Sequence, residues 1–169
     1  MMGCQQVNQA TDGCDVVIHC TINGREHEHR VHPLMSALDF LRRVAGLTGT
    51  KEGCKEGECG ACTITIDGVL ANACLVPAIH LDGRKIGTVE GLADDGRLSV
   101  LQQAFLEHGG AQCGICTPGM LMAGTKLLED GEPLTEQRIR EFMAGNLCRC
   151  TGYGKIVEAL FKAAREEKR

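Results

Sequence analysis

The sequence predicts an α+β fold with two small domains, each built around four cysteines. Apolar residues alternate with a period of two in the first half, which is typical of strands, and from Leu92 onward they recur at about 3.6 residues, which is typical of helices. Only 3% of the residues are aromatic although 43% are hydrophobic, so small cores would need additional stabilisation. We expect a flexible tail over 1–14, a first domain over 15–91 and a second over 92–169.

Strands around one helix are predicted for the first domain. Residues 16–22 and 25–31 partly alternate on either side of Asn23-Gly24, a dipeptide that favours a tight hairpin turn. A short amphipathic helix is predicted over 36–44. Its buried face would comprise Ala37, Phe40, Leu41 and Val44. Further strands are predicted over 63–66, from Val69 and around 85–89.

Four helices are predicted for the second domain. The first carries Leu98, Leu101, Phe105 and His108 and ends at Gly109-Gly110. The second begins at Thr117-Pro118, with Thr117 as the N-cap and the proline at the first helical position. Thr135 caps the third helix, whose buried face carries Ile139, Phe142 and Met143, and residues 154–166 form the fourth.

Charge and hydropathy exclude several function classes. The net charge is −4 and the basic residues are mixed with acidic ones, so no basic stripe is available to neutralise nucleic-acid phosphates. No stretch approaches the roughly 20 apolar residues of a membrane span, and the polar start lacks the apolar region of a secretory signal. We therefore expect a cytoplasmic protein whose cysteines bind metal rather than form disulfides.

The first set of cysteines has the spacing of a plant-type [2Fe-2S] centre. It comprises Cys54, Cys59, Cys62 and Cys74. Four residues, then two, then eleven separate these cysteines. The interleaved glycines would let successive amides turn toward an anionic cluster. Structural zinc also takes four thiolates, but the complete spacing favours iron and sulfide. The first domain is thus predicted to be a plant-type ferredoxin β-grasp domain.

The second set lies in the helical half. It comprises Cys113, Cys116, Cys148 and Cys150. Cys116 directly precedes Thr117-Pro118, so its thiolate would lie at a helix N-terminus, where free N–H groups favour negative charge. Cys148 and Cys150 require a curled turn, because residues i and i+2 are about 6.5–7 Å apart in an extended chain. The second domain is thus predicted to be a four-helix bundle [2Fe-2S]-binding domain.

These residues resemble one family over about 15–164. It is the small, two-cluster iron-sulfur subunit or domain of the molybdenum hydroxylases, the superfamily of xanthine dehydrogenase, aldehyde oxidoreductase and carbon monoxide dehydrogenase. The motifs that carry the resemblance are GCKEGECGACTITIDG at 53–68, Cys74-Leu75, GLADDGRLSVLQQAF at 91–105, QCGICTPGM at 112–120 and GNLCRCTGY at 145–153.

The resemblance implies an electron-transfer function. The first cysteine set would bind the cluster on the flavin side, and the second set the cluster nearest the molybdopterin, with Gln112 and Cys150 hydrogen-bonded to the pterin. Electrons would pass from molybdenum in a large subunit through both clusters to FAD in a medium subunit or to another acceptor. The assembly would be a heterotrimer or a dimer of heterotrimers, with no substrate site on this chain.

Two other function classes stay open from the residues alone: a free two-cluster ferredoxin and a zinc-stapled interaction module. Of the three cysteines outside the sets, Cys20 is expected to be a small buried hydrophobe, and Cys4 and Cys14 free thiols. His27, His29 and His32 fit a solvated edge strand better than a metal patch. The substrate of the complex is decided by the large subunit.

Overall fold

A computed structural model describes residues 14–166 of the chain. The predicted tail, including Cys4, lies outside these residues except for position 14. Residues 167–169 lie outside them as well.

From residue 14 onward, the first half of the chain forms a five-stranded mixed sheet. The strands are β1 (Val16–Ile22), β2 (Arg25–Val31), β3 (Thr63–Ile66), β4 (Val69–Asn72) and β5 (Lys85–Gly87). Their order across the sheet is β2-β1-β5-β3-β4, in which only the β1/β5 pair is parallel. All five predicted strands are present, and β2 and β4 form the two edges.

The hairpin between β1 and β2 forms as the sequence predicts. Asn23 and Gly24 both have positive φ, 50° and 79°, which the two-residue turn of a right-twisted hairpin requires. Alternate residues of β1, namely Ile18, Cys20 and Ile22, are buried. The expectation that Cys20 packs as a small hydrophobe is therefore met by its position in the core.

The predicted helix after the hairpin is present but irregular. It begins as α1 (Ala37–Asp39), capped by the Ser36 hydroxyl, and continues as a π-helical turn over Phe40–Val44. The wider turn rotates later residues, so Val44 is 36% exposed and its predicted burial is wrong. Leu38 lies in the core together with Phe40.

Up to residue 166, the second half forms four α-helices, as predicted. They are α2 (Val100–Glu107), α3 (Thr117–Glu129), α4 (Glu136–Phe142) and α5 (Gly154–Glu166). Ser99 and Gln102 form a capping box on α2, whereas Leu98 precedes that helix and is exposed. The Thr135 hydroxyl caps α4 as expected, accepting from the Arg138 N–H at 3.1 Å.

The predicted cap of α3 is wrong by one residue. Cys116 occupies the N-cap position without a side-chain hydrogen bond, and Thr117 is the first helical residue. Pro118 therefore lies at the second helical position, where its missing N–H still breaks no helical hydrogen bond.

The described residues form two hydrophobic cores, and α3, which belongs to the second core, lies against β3 of the sheet. One core fills the space between the sheet and α1, and the other lies among the four helices. A Cβ at Gly119 of α3 would overlap the Gly60 carbonyl oxygen, so the backbones of the two halves approach closely there. Among residues 14–166, none of the helices combines the length and apolar character that crossing a bilayer requires.

Candidate metal centres

The loop over 51–62 turns its backbone amides toward the first two cysteine sulfurs. The N–H groups of Glu56 and Cys59 donate to Cys54 Sγ at 3.3 and 3.4 Å, and the Cys54 N–H donates to Cys59 Sγ at 3.4 Å. Lys55, Gly57 and Gly60 have positive φ, which curls the loop around the sulfurs. These amides lower the pKa of Cys54 to about 7, the Glu56 N–H first and the Cys59 N–H second.

Two glycines of this loop are required because other side chains lie too close to their Cα atoms for a Cβ to fit. A Cβ on Gly53 would lie 2.7 Å from Cys59 Sγ, and one on Gly57 would overlap the Leu75 side chain. The loop can therefore follow its path around the sulfurs only where side chains are missing.

The β3/β4 hairpin brings the other two cysteines of the first set together. Cys62 directly precedes β3, Cys74 lies two residues after β4, and Thr63 is paired with Asn72 between them. The two thiols lie next to each other, and burial raises the pKa of Cys62 to about 12. A positive metal ion would supply the compensation that this buried thiolate lacks.

The second set comes from the start of α3 and the turn before α5. Cys113 Sγ and Cys150 Sγ lie 3.5 Å apart and are exposed, whereas Cys116 and Cys148 form a second, more buried pair. The Ile115 N–H, followed by the Cys150 side chain, lowers the pKa of Cys113. Burial raises the pKa of Cys116 to about 12.

The pairing of the sulfurs fits a binuclear centre. Two thiolates on one tetrahedral metal, at about 2.3 Å each, are about 3.8 Å apart, close to the 3.5 Å between the Cys113 and Cys150 sulfurs. Across residues 14–166, no three His, Cys, Asp or Glu side chains converge as they would around one ion. The thiols meet in pairs instead: Cys54 with Cys59, Cys62 with Cys74, Cys113 with Cys150, and Cys116 with Cys148. Two sulfurs for each of two irons is the donor set of a [2Fe-2S] cluster.

A tight turn before α5 holds Cys148. The Thr151 hydroxyl lies 3.1 Å from Cys148 Sγ, and the Tyr153 hydroxyl accepts the Cys148 N–H at 3.0 Å. Burial acts to raise the pKa of Cys148, but hydrogen bonds from the Thr151 hydroxyl and backbone outweigh it and lower the pKa. Sequence reasoning did not identify either residue, because only the turn brings them back to the cysteine.

The two sets are joined by hydrogen bonds between the two halves. The Leu147 N–H donates to the Cys59 carbonyl at 2.9 Å. The buried Asn146 side chain donates to the Gly60 carbonyl at 2.9 Å and to Thr63 Oγ1 at 3.0 Å. A ligand candidate of the first set is therefore one hydrogen bond away from the residue that precedes Cys148.

The exposed side of the second set carries the remaining predicted site residues. Gln112 is exposed beside Cys113, and Cys150 is exposed opposite it. Ile115 directly precedes Cys116 in the chain, and Leu147 directly precedes Cys148. Their side chains are 48% and 55% exposed. Two accessible sulfurs and two exposed apolar side chains therefore lie within or next to the motifs of the second set.

Two histidines of β2 lie together. The rings of His27 and His29 stack with centroids 5.6 Å apart, and His29 meets the buried Phe40 ring edge-on. His32 accepts the Leu34 N–H instead. The pair thus packs against the core from an edge strand.

Comparisons with known proteins match both halves of the chain to iron-sulfur domains. Residues 20–79 match the family described as 2Fe-2S iron-sulfur cluster binding domain, and residues 88–161 match the family described as [2Fe-2S] binding domain. The iron-sulfur-binding subunit of xanthine dehydrogenase from Escherichia coli is 46% identical over 147 residues, covering 86% of this chain and 92% of that protein. The nicotinate dehydrogenase small FeS subunit of Eubacterium barkeri is 46% identical over 145 residues, covering 86% and 92%. The crystal structure of quinoline 2-oxidoreductase from Pseudomonas putida 86 contains a chain with a TM-score of 0.89 and 43% identity, covering 93% of this chain and 98% of that one.

Proposed function

Because the chain belongs to the small, two-cluster iron-sulfur subunits of the molybdenum hydroxylases, we propose that its two cysteine sets carry electrons between partner subunits. It is the electron-transfer subunit of an oxidoreductase complex and holds two [2Fe-2S] clusters, which supply one-electron transfer. We assign Cys54, Cys59, Cys62 and Cys74 to one cluster and Cys113, Cys116, Cys148 and Cys150 to the other. The proposed domains are 15–91 and 92–169.

The observation that carries this proposal is a hydrogen bond between a cysteine of the first set and the residue that precedes Cys148 of the second set. The Cys59 carbonyl accepts the Leu147 N–H, and Leu147 is bonded to Cys148. Asn146 adds two buried hydrogen bonds beside this one. Bonds of this kind hold the two sets at one fixed separation, which a carrier of electrons between two centres needs.

The second set faces the molybdenum side in this proposal. Cys113 and Cys150 are its exposed pair, and Gln112 lies beside them, so Gln112 and Cys150 are available to hydrogen-bond a pterin presented by a large subunit. The exposed Ile115 and Leu147 would be buried by that subunit, because the core of a protein interface is depleted of charge and rich in apolar contacts.

The first set faces the acceptor side. Leu75, which covers Gly57 of the cysteine loop, is 60% exposed. The same loop carries exposed charged side chains, namely Glu52, Lys55, Glu56 and Glu58. A medium subunit with FAD would dock on this loop, giving a heterotrimer or a dimer of heterotrimers. The complex would reside in the cytoplasm, where its thiols stay reduced before they bind iron.

The proposal is tested by electron paramagnetic resonance (EPR) of the dithionite-reduced, natively purified complex, with metal analysis of the same sample. We expect two distinct [2Fe-2S] signals, about four irons per copy of this chain, and molybdenum in the complex. A single signal, or zinc in place of iron, would show that the assignment of the eight cysteines is wrong.

Substitution of one proposed ligand separates the two clusters. Cys113→Ser should remove one EPR signal and about half of the iron while leaving the other signal intact, because Cys113 Sγ lies 3.5 Å from Cys150 Sγ of the second set. Cys14→Ser changes an exposed cysteine outside both sets and serves as the control. If Cys113→Ser retained both signals, Cys113 would not be a ligand.

A further inference from the structure

The Thr151 side chain lies within hydrogen-bond distance of Cys148 Sγ. Among residues 14–166, no other side chain outside the two cysteine sets does so. Its hydroxyl oxygen lies 3.1 Å from that sulfur and also 3.1 Å from the Tyr153 backbone nitrogen. The backbone N–H can only donate, so it occupies an acceptor position of the hydroxyl. A sulfur bound to a metal carries no proton, so in a hydrogen bond between these two atoms the Thr151 hydroxyl is the donor.

Tyr153 holds this arrangement in place. Gly152 and Tyr153 both have positive φ, 60° and 66°, a backbone conformation that tyrosine rarely adopts. The Tyr153 hydroxyl accepts the Cys148 N–H at 3.0 Å and donates to the Asn146 carbonyl at 3.3 Å. The Tyr153 hydroxyl thus stabilises the start of the turn through Asn146 and Cys148. The Tyr153 backbone N–H orients the Thr151 hydroxyl.

Two sulfurs of the first set accept hydrogen bonds from backbone amides rather than from a side chain. The hydrogen bonds to Cys54 Sγ and Cys59 Sγ described above come from backbone amides. These amides are part of the loop that forms the site and cannot be removed by substitution. Thr151 instead offers a donor that one side chain controls.

We propose that the Thr151 hydroxyl, oriented by the Tyr153 backbone, donates a hydrogen bond to the ligand sulfur of Cys148 and raises the reduction potential of the second cluster. Reduction adds negative charge to the cluster and its thiolates, and a hydrogen bond to a more negative acceptor is stronger. Potentials of such clusters depend on hydrogen bonds to their sulfurs. The inference rests on the proposed ligation by Cys148.

The test is an EPR redox titration of the complete complex carrying Thr151→Val, which keeps the shape of the side chain and removes its hydroxyl. We expect reduction of the second cluster to become about tenfold less favourable, a shift of about 59 mV to lower potential for one electron. The first cluster should keep its potential. Thr151→Ser, which retains the hydroxyl, should restore the wild-type value, and Thr125→Val on α3 should change neither cluster.

The outcomes separate this inference from the proposed function. Loss of the second signal already in the wild-type complex would contradict the ligation itself. Two normal signals with an unchanged second potential in Thr151→Val would overturn only the role of Thr151, as would an equal shift of both clusters. If Thr151→Val fails to assemble the second cluster, Thr151→Ala and Thr151→Ser are compared by the same titration, and equal potentials in that pair would refute the inference.

Discussion

Gly60 lies where the two halves of the chain meet, so its replacement by alanine tests that contact. Its φ is +67°, and a Cβ there would overlap the Gly145 carbonyl oxygen and lie 2.6 Å from the Asn146 side-chain nitrogen. Gly83 has a similar φ of +71° but nothing within 4 Å of its Cβ position. The pair Gly60→Ala and Gly83→Ala therefore shares the backbone strain and differs in the contact.

The expected magnitudes follow from these contacts. An alanine in the left-handed region costs about 1–2 kcal/mol, and this is the whole effect expected at Gly83. At Gly60 the new methyl group also displaces Asn146, whose two buried hydrogen bonds contribute about 1 kcal/mol each. We expect Gly60→Ala to lower the free energy of unfolding by about 3–4 kcal/mol.

The assay is urea unfolding of the purified chain with both clusters bound, and circular dichroism monitors the loss of structure. The difference between the two variants is taken from the shift of their midpoints at a common slope. Equal destabilisation by Gly60→Ala and Gly83→Ala would refute the reasoning, because the packing of Gly60 against Asn146 would then contribute nothing.

Two further predictions concern the thiols and the support of the first loop. In the folded, metal-free chain, alkylation of Cys54 by iodoacetamide should rise with pH around 7, because the thiolate is the nucleophile and the pKa of Cys54 is about 7. Alkylation of Cys62, whose pKa is about 12, should rise only far above this pH. Peptide mass spectrometry after labelling at about pH 8 measures the difference, and equal labelling of the two cysteines would contradict the prediction. Arg42→Leu should lower the free energy of unfolding by about 2–3 kcal/mol, because its guanidinium donates to the Thr48 and Thr50 carbonyls at 2.8 Å each. The neighbouring Arg43→Leu removes an ion pair between an exposed guanidinium and the half-buried Asp39, and should cost less than about 1 kcal/mol in the same urea titration. A similar loss in both variants would show that the Arg42 contacts do not stabilise the loop.

Much of the fold could be predicted because its signals are local. The Asn23-Gly24 turn, the alternation in β1 and the 3.6-residue period of α5 each depend on residues that are neighbours in the chain. The errors arose where tertiary packing overrides a local pattern. The π-helical turn at Phe40–Val44 leaves Val44 exposed, and Cys116 rather than Thr117 takes the N-cap of α3.

The sequence by itself determined the cysteine spacing, and with it the chemistry of both sites and the family that the chain resembles. It determined neither which sulfurs meet nor what surrounds them. Cys113 lies next to Cys150 only because α3 and α5 pack in one bundle, and Leu147 reaches Cys59 only because the two halves are in contact. Spacing is a property of the chain, whereas the separation of atoms distant in sequence depends on strand register and helix packing, and these are decided by the tertiary structure alone.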